Sequence, residues 1–167
     1  FKNKTMQREE ALAELARRYF KSRGPATIKD FIWWSGLLVA DARAGLEAVK
    51  SELIPKEVDN QIYWYSESTE QNISPMAHLL PTYDEYLFGY QDRGAAINKT
   101  SKKRLEDLFR STIAIDGQIV GTWKRILQKG EVILQYDLFR ELNRPEKEAL
   151  TEAERRYHEF MHNPKKS

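Results

Sequence analysis

A chain of 167 residues, 41% hydrophobic and 11% aromatic, is long enough to bury one core or two small ones and too apolar for bulk disorder. It contains no cysteine, which excludes disulfides, thiolate zinc sites and cysteine nucleophiles and suits a reducing, cytoplasmic setting; no stretch is apolar enough to span a bilayer. The net charge of +2 conceals a pattern, because residues 1–50 hold ten Lys/Arg against six Asp/Glu, residues 51–97 two against eight, residues 98–125 seven against three, and the rest balances.

The first predicted helix covers Met6 to Lys21, where Leu12, Leu15, Ala16, Tyr19 and Phe20 recur on one face. Gly24-Pro25 ends it. Thr27 followed by Asp30 spells a capping box that opens a short helix through Phe31 and Trp34, and Ser35-Gly36 supplies the next turn. A third helix runs from Leu38, with Val39, Ala42, Leu46 and Val49 as its apolar stripe and Arg43, Glu47 and Lys50 facing outward. Residues 53–58 and 61–65 are β-rich and flank Asp59-Asn60, a two-residue hairpin turn. Three helices and a hairpin spell a winged helix, in which the third helix would be the recognition helix on duplex DNA.

Residues 67–77 read as a linker, which makes residues 1–66 the winged-helix domain and residues 78–167 a second, β-rich module. In that module His78 to Arg93 fits neither helical nor strand period and reads as packed irregular chain with one helical turn. Thr112 to Phe139 is clearly β, as three strands joined at Asp116-Gly117 and Lys129-Gly130; strands from residues 78–97 would enlarge this sheet toward a barrel-like form. A charged amphipathic helix from Pro145 to His162 closes the chain, with Ala149, Ala153, Tyr157 and Phe160 on its apolar side. The fold class is therefore α+β: a winged helix, a small antiparallel barrel-like module and a terminal helix.

Three blocks of this text, SRGPATIKDFIWWSGL, LLPTYDEYLFGYQDR and DGQIVGTWKR, resemble the bacterial winged-helix DNA glycosylases of the AlkZ and YcaQ type. The resemblance implies tandem winged helices followed by a small β-barrel region, a double-stranded DNA partner, and cleavage of the N-glycosidic bond of alkylated or crosslinked bases. By that resemblance, and because the chain opens on Phe1, it is expected to be the carboxy-terminal part of a longer protein. The family's catalytic pair, a glutamine separated by one apolar residue from a second glutamine or an aspartate, belongs to an amino-terminal winged helix that this sequence does not spell. Gln135-Tyr136-Asp137 has the right spelling but falls on the last predicted strand and reads as core. No catalytic residue and no cofactor is assigned.

The DNA contacts expected of such a chain are cationic, because phosphates are held by Lys and Arg. Lys29, Arg43 and Lys50 form one group on the helix-turn-helix, weakened by Glu47; Lys99, Lys102, Lys103 and Arg104 form a second and Lys124 and Arg125 a third on a strand, and these last two groups are the preferred DNA contacts. Trp33 and Trp34 are candidates to stack on bases, with at least one of them in the core. Asp84 and Glu85 read as structural, with Asp84 paired to Arg93 rather than acting as acid or base. His158-Glu159-Phe160-Met161-His162 matches a zinc-protease motif but stands at the end of a charged helix and is not assigned a metal. A non-enzymatic winged-helix regulator is the alternative reading, although no dimerisation stripe accompanies it.

Overall fold

The computed structural model describes residues 6–67, 75–97, 109–128 and 131–162. Its elements are α1 (Arg8–Arg23), α2 (Ile28–Ser35), α3 (Val39–Val49), a 3-10 turn (Lys50–Glu52), β1 (Ile54–Val58), β2 (Gln61–Tyr65), β3 (Ala77–Leu80), α4 (Glu85–Phe88), β4 (Thr112–Ile115), β5 (Gln118–Gln128), β6 (Glu131–Leu138) and α5 (Arg144–His162). The fold is α+β, with helices beside antiparallel sheet. The described chain forms two compact units, one of residues up to Glu70 together with Phe88–Asp92, the other of Gln71–Leu87 and Arg93 onward. No helix among the described residues is long and apolar enough to cross a membrane.

In the first unit, α1, α2 and α3 enclose Tyr19, Phe20, Phe31, Ala42 and Val49, each at most 1% exposed. Burying a Phe or Val side chain of this kind stabilises a fold by about 1.5–3 kcal/mol, so these residues dominate the unit's cohesion. Aromatic contact reinforces it, with Tyr19 5.0 Å from Phe31 and 5.1 Å from Trp34 between ring centroids. Thr27 caps α2 as its sequence predicts: its hydroxyl accepts the Asp30 N–H, and the Asp30 carboxylate accepts the Thr27 N–H at 2.8 Å. Asp59 and Asn60 both take positive φ, 50° and 59°, which gives the β1–β2 hairpin the twist a two-residue turn requires. The stripe predicted for α3 is narrower than expected. Val39, in its first turn, is 51% exposed, whereas Gly45 joins Ala42 and Val49 in the buried face against α1.

The stretch Phe88–Asp92 also belongs to the first unit. The Gly89 carbonyl accepts from the Tyr19 hydroxyl at 3.4 Å, the Tyr90 hydroxyl donates to the Arg23 carbonyl at 2.8 Å, and the Gln91 N–H donates to Asp30 at 2.9 Å. Nothing periodic in the sequence announces this docking.

In the second unit the sheet order is β3-β4-β5-β6, all antiparallel, and Asp116-Gly117 makes the β4–β5 turn at φ 48° and 78°. The expected barrel-like closure does not occur: among the described residues β3 and β6 are opposite edges of an open sheet. Four strands, two of them only four residues long, are too few and too short to curl into a barrel. Ile113, Ile115, Val120, Leu142, Leu150 and Ala153 make its core, with α5 packed against β3. Leu150 replaces the expected Phe160 on the buried side of α5, because Phe160 lies in the last turn beyond the sheet and is 72% exposed. At the start of that helix Asn143 and Glu146 form a reciprocal cap, each backbone N–H donating to the other's side chain at 2.9 Å. Hydrogen bonding to Arg140, opposed by partial burial, lowers the Glu146 carboxyl to about 2.

Candidate nucleic-acid interface

α2, α3, the following 3-10 turn and the β1–β2 hairpin surround one groove of about 420 Å³ in the first unit. Lys29 reaches it from α2, Arg43 from α3 and Lys50 from the 3-10 turn, so the first predicted group of cations is brought together by three successive elements. All three are exposed. Asn60, Gln61 and Ile62 close the groove from the hairpin, with Thr27 and Leu46 along its wall. The Glu47 carboxylate lies 2.5 Å from the Lys50 ammonium, an exposed ion pair that partly occupies that lysine, while Lys29 and Arg43 make no ion pair among the described residues. Sequence singles out neither Asn60 nor Gln61 as a contact, since it places Asn60 in the hairpin turn and Gln61 at the start of a strand.

The tryptophans divide as their amphipathic helix requires. Trp34 packs against Tyr19 and stacks under the Arg23 guanidinium, 5.0 Å from the ring centroid. Trp33 is 52% exposed, and its indole N–H donates to the Phe88 carbonyl at 3.1 Å.

In the second unit Lys124 and Arg125 are exposed on β5. Strand alternation sends their side chains to opposite faces, yet both rim a groove of about 510 Å³, together with Thr82, Phe109, Arg110, Ser111, Trp123 and Tyr157. Arg110 was missed from sequence because it stands alone just ahead of a strand, with no basic neighbour in the text. Lys99, Lys102, Lys103 and Arg104, the second predicted group, lie outside the described residues.

The remaining candidates find structural places. Asp84 accepts the Tyr86 N–H at 2.8 Å and so caps the single turn of α4; Arg93 donates from Nε to the Leu87 carbonyl at 2.7 Å. Gln135-Tyr136-Asp137 does lie on a strand, β6, although Gln135 and Asp137 are exposed rather than core. Glu159 pairs with Arg155, and His158 Nε2 is 3.7 Å from Glu154; the side chain of His162 lies outside the described residues. Among the described residues no cluster of three His, Asp or Glu side chains is placed to hold a metal ion.

A family model described as DNA glycosylase AlkZ-like matches residues 2–160. The chain belongs to the AlkZ-like DNA glycosylase family. The solved structure of Streptomyces sahachiroi DNA glycosylase AlkZ is similar in fold, with a TM-score of 0.68 at 18% sequence identity. The similarity covers 90% of this AlkZ-like chain and 43% of that one, so the chain spans less than half the length of that neighbour. No curated protein matches the sequence.

Proposed function

We propose that this AlkZ-like chain holds duplex DNA for a base-excision enzyme, and that its first unit is a winged helix presenting α3 and the β1–β2 wing to the duplex. The observation that carries the reading is the convergence of Lys29, Arg43 and Lys50 on one groove walled by the hairpin. Three cations from three elements fit phosphates along a backbone, and the amides of Asn60 and Gln61 add hydrogen-bonding groups on the wing side. The Glu47–Lys50 pair makes Lys50 the weakest of the three, since a carboxylate beside it repels phosphate. Lys124 and Arg125 form a separate basic place in the other unit, which the duplex contact of α3 and the wing does not use.

The substrate class in this reading is DNA carrying alkylated or crosslinked bases, and the setting is the cytoplasm. Base removal itself needs a polar pair that orients water at the sugar. We assign that pair to an amino-terminal winged helix of the kind the family resemblance calls for, not to Gln135 and Asp137. A duplex containing N7-methylguanine is therefore expected to be retained in a bound complex by this chain and, in a parallel sample treated with alkali after incubation, to be cut at the modified base no more than a protein-free control. Alkali-labile cleavage at that base, produced by this chain alone, would move the catalytic role onto it and contradict the assignment.

A further inference from the structure

β5 outlasts its neighbour β4. Thr112 pairs with Thr122 and the Trp123 N–H donates to the Ser111 carbonyl at 3.0 Å, but from Lys124 onward β5 pairs only with β6 among the described residues. Two grooves of about 510 and 350 Å³ open there, sharing Arg110, Trp123 and Lys124 as a common wall. These volumes fall in the range of small-ligand sites, roughly 300–1,000 Å³. Trp123 is held in place by its indole N–H, which donates to the Leu80 carbonyl at 2.9 Å, and by an edge contact with Tyr157.

The rim of the larger groove is aromatic as well as basic. Phe109 is 54% exposed, and 6.3 Å from its ring centroid stands Tyr83, 66% exposed. Tyr83 takes a φ of 59°, an uncommon conformation for a residue other than glycine, and it projects a large ring into water there. The smaller groove follows the sheet face on which Lys124 pairs with Gln135 and Thr122 with Asp137.

A duplex backbone has no use for this mixture. Its bases are stacked, so they offer no free faces to Phe109 and Tyr83. An unpaired strand matches every part: open base faces for the rings, phosphates for Arg110, Lys124 and Arg125, and exocyclic amino groups for an acidic or amide side chain. We propose that these paired grooves of the second unit are a subsite for unpaired nucleotides of a DNA strand. The proposal rests on the DNA-binding reading above and adds a single-stranded ligand to it, at a different place in the chain.

Anisotropy titrations of a labelled single-stranded pyrimidine oligonucleotide, at several salt concentrations, test it. Phe109→Ala is expected to weaken single-strand binding about fivefold or more while leaving the slope of log affinity against log salt unchanged, because stacking releases no counterions; Phe109→Trp should retain the affinity. The double change Lys124→Ala with Arg125→Ala should lower that slope by about 1.4, at about 0.7 per neutralised phosphate on a single strand. Single-strand binding that is absent, or indifferent to Phe109→Ala, overturns the proposal. Duplex binding measured in parallel on Lys29→Ala with Arg43→Ala keeps the two readings apart, since its loss concerns only the first unit.

Discussion

Replacing Asp30 by alanine is expected to cost the first unit about 4 kcal/mol, the larger part of what a small domain has to lose. Asp30 is 4% exposed and one of its carboxylate oxygens accepts both the N–H and the hydroxyl of Thr27, at 2.8 and 2.7 Å. The other accepts the backbone N–H of Gln91 at 2.9 Å and of Asp92 at 3.4 Å. Removing the cap of α2 alone accounts for about 1 kcal/mol, and the backbone donors left without an acceptor in a dry site account for the rest. Asp30→Asn keeps one acceptor oxygen but turns an amide toward donors, so it should fall between wild type and alanine. Urea unfolding followed by circular dichroism gives the comparison; a destabilisation near 1 kcal/mol for Asp30→Ala would mean that only the cap matters and that the hydrogen bonds from Gln91 and Asp92 contribute nothing.

Gly24→Ala is expected to be nearly as damaging, by about 3 kcal/mol, for a reason of shape rather than charge. A Cβ at this position would stand 2.5 Å from the Phe20 carbonyl oxygen, 2.8 Å from the Trp64 carbonyl oxygen and 2.8 Å from the Tyr65 Cα. All three are backbone atoms, so no rotamer change relieves the overlap; β2 or the end of α1 must shift, and β2 is anchored to the Ala26 backbone by hydrogen bonds of 2.8 and 3.1 Å. Thermal unfolding of the variant, with Ala26→Gly as a control that removes a buried methyl without a clash, separates strain from weakened packing. A Gly24→Ala protein as stable as wild type would show that the two segments have room to part.

How much of this was legible in the amino-acid sequence depends on how local each signal is. The Thr27–Asp30 cap and the Asp59-Asn60 and Asp116-Gly117 turns are written in two to four residues, and the structure has them where the sequence puts them. The strands from Thr112 to Leu138 follow from β-rich segments divided by turn residues, with alternation evident only in the last of them. The second duty of Asp30 was hidden because its partners lie 61 and 62 residues away and donate through the backbone, which no side-chain pattern reveals. Periodicity puts Val39 and Phe160 on buried faces, yet both are exposed, because it gives the face of a helix but not the length of the surface it packs on. The cations of the first groove were recognisable as types, yet only the folding of α2, α3 and the hairpin around one hollow groups them. Arg110 and Tyr83 carry no sequence signal at all; one precedes a strand and the other sits in a turn.

Phosphate contact by the first unit is the claim on which the functional account turns, and the salt dependence of duplex binding measures it directly. Titrating a labelled duplex with wild type and with Lys29→Ala plus Arg43→Ala, at several salt concentrations, should give a slope of log affinity against log salt lower by about 1.8 in the variant, at about 0.9 for each phosphate that is no longer neutralised. Both side chains are exposed, so the fold should be unchanged. Identical slopes for the two proteins would remove Lys29 and Arg43 from the interface and contradict the account.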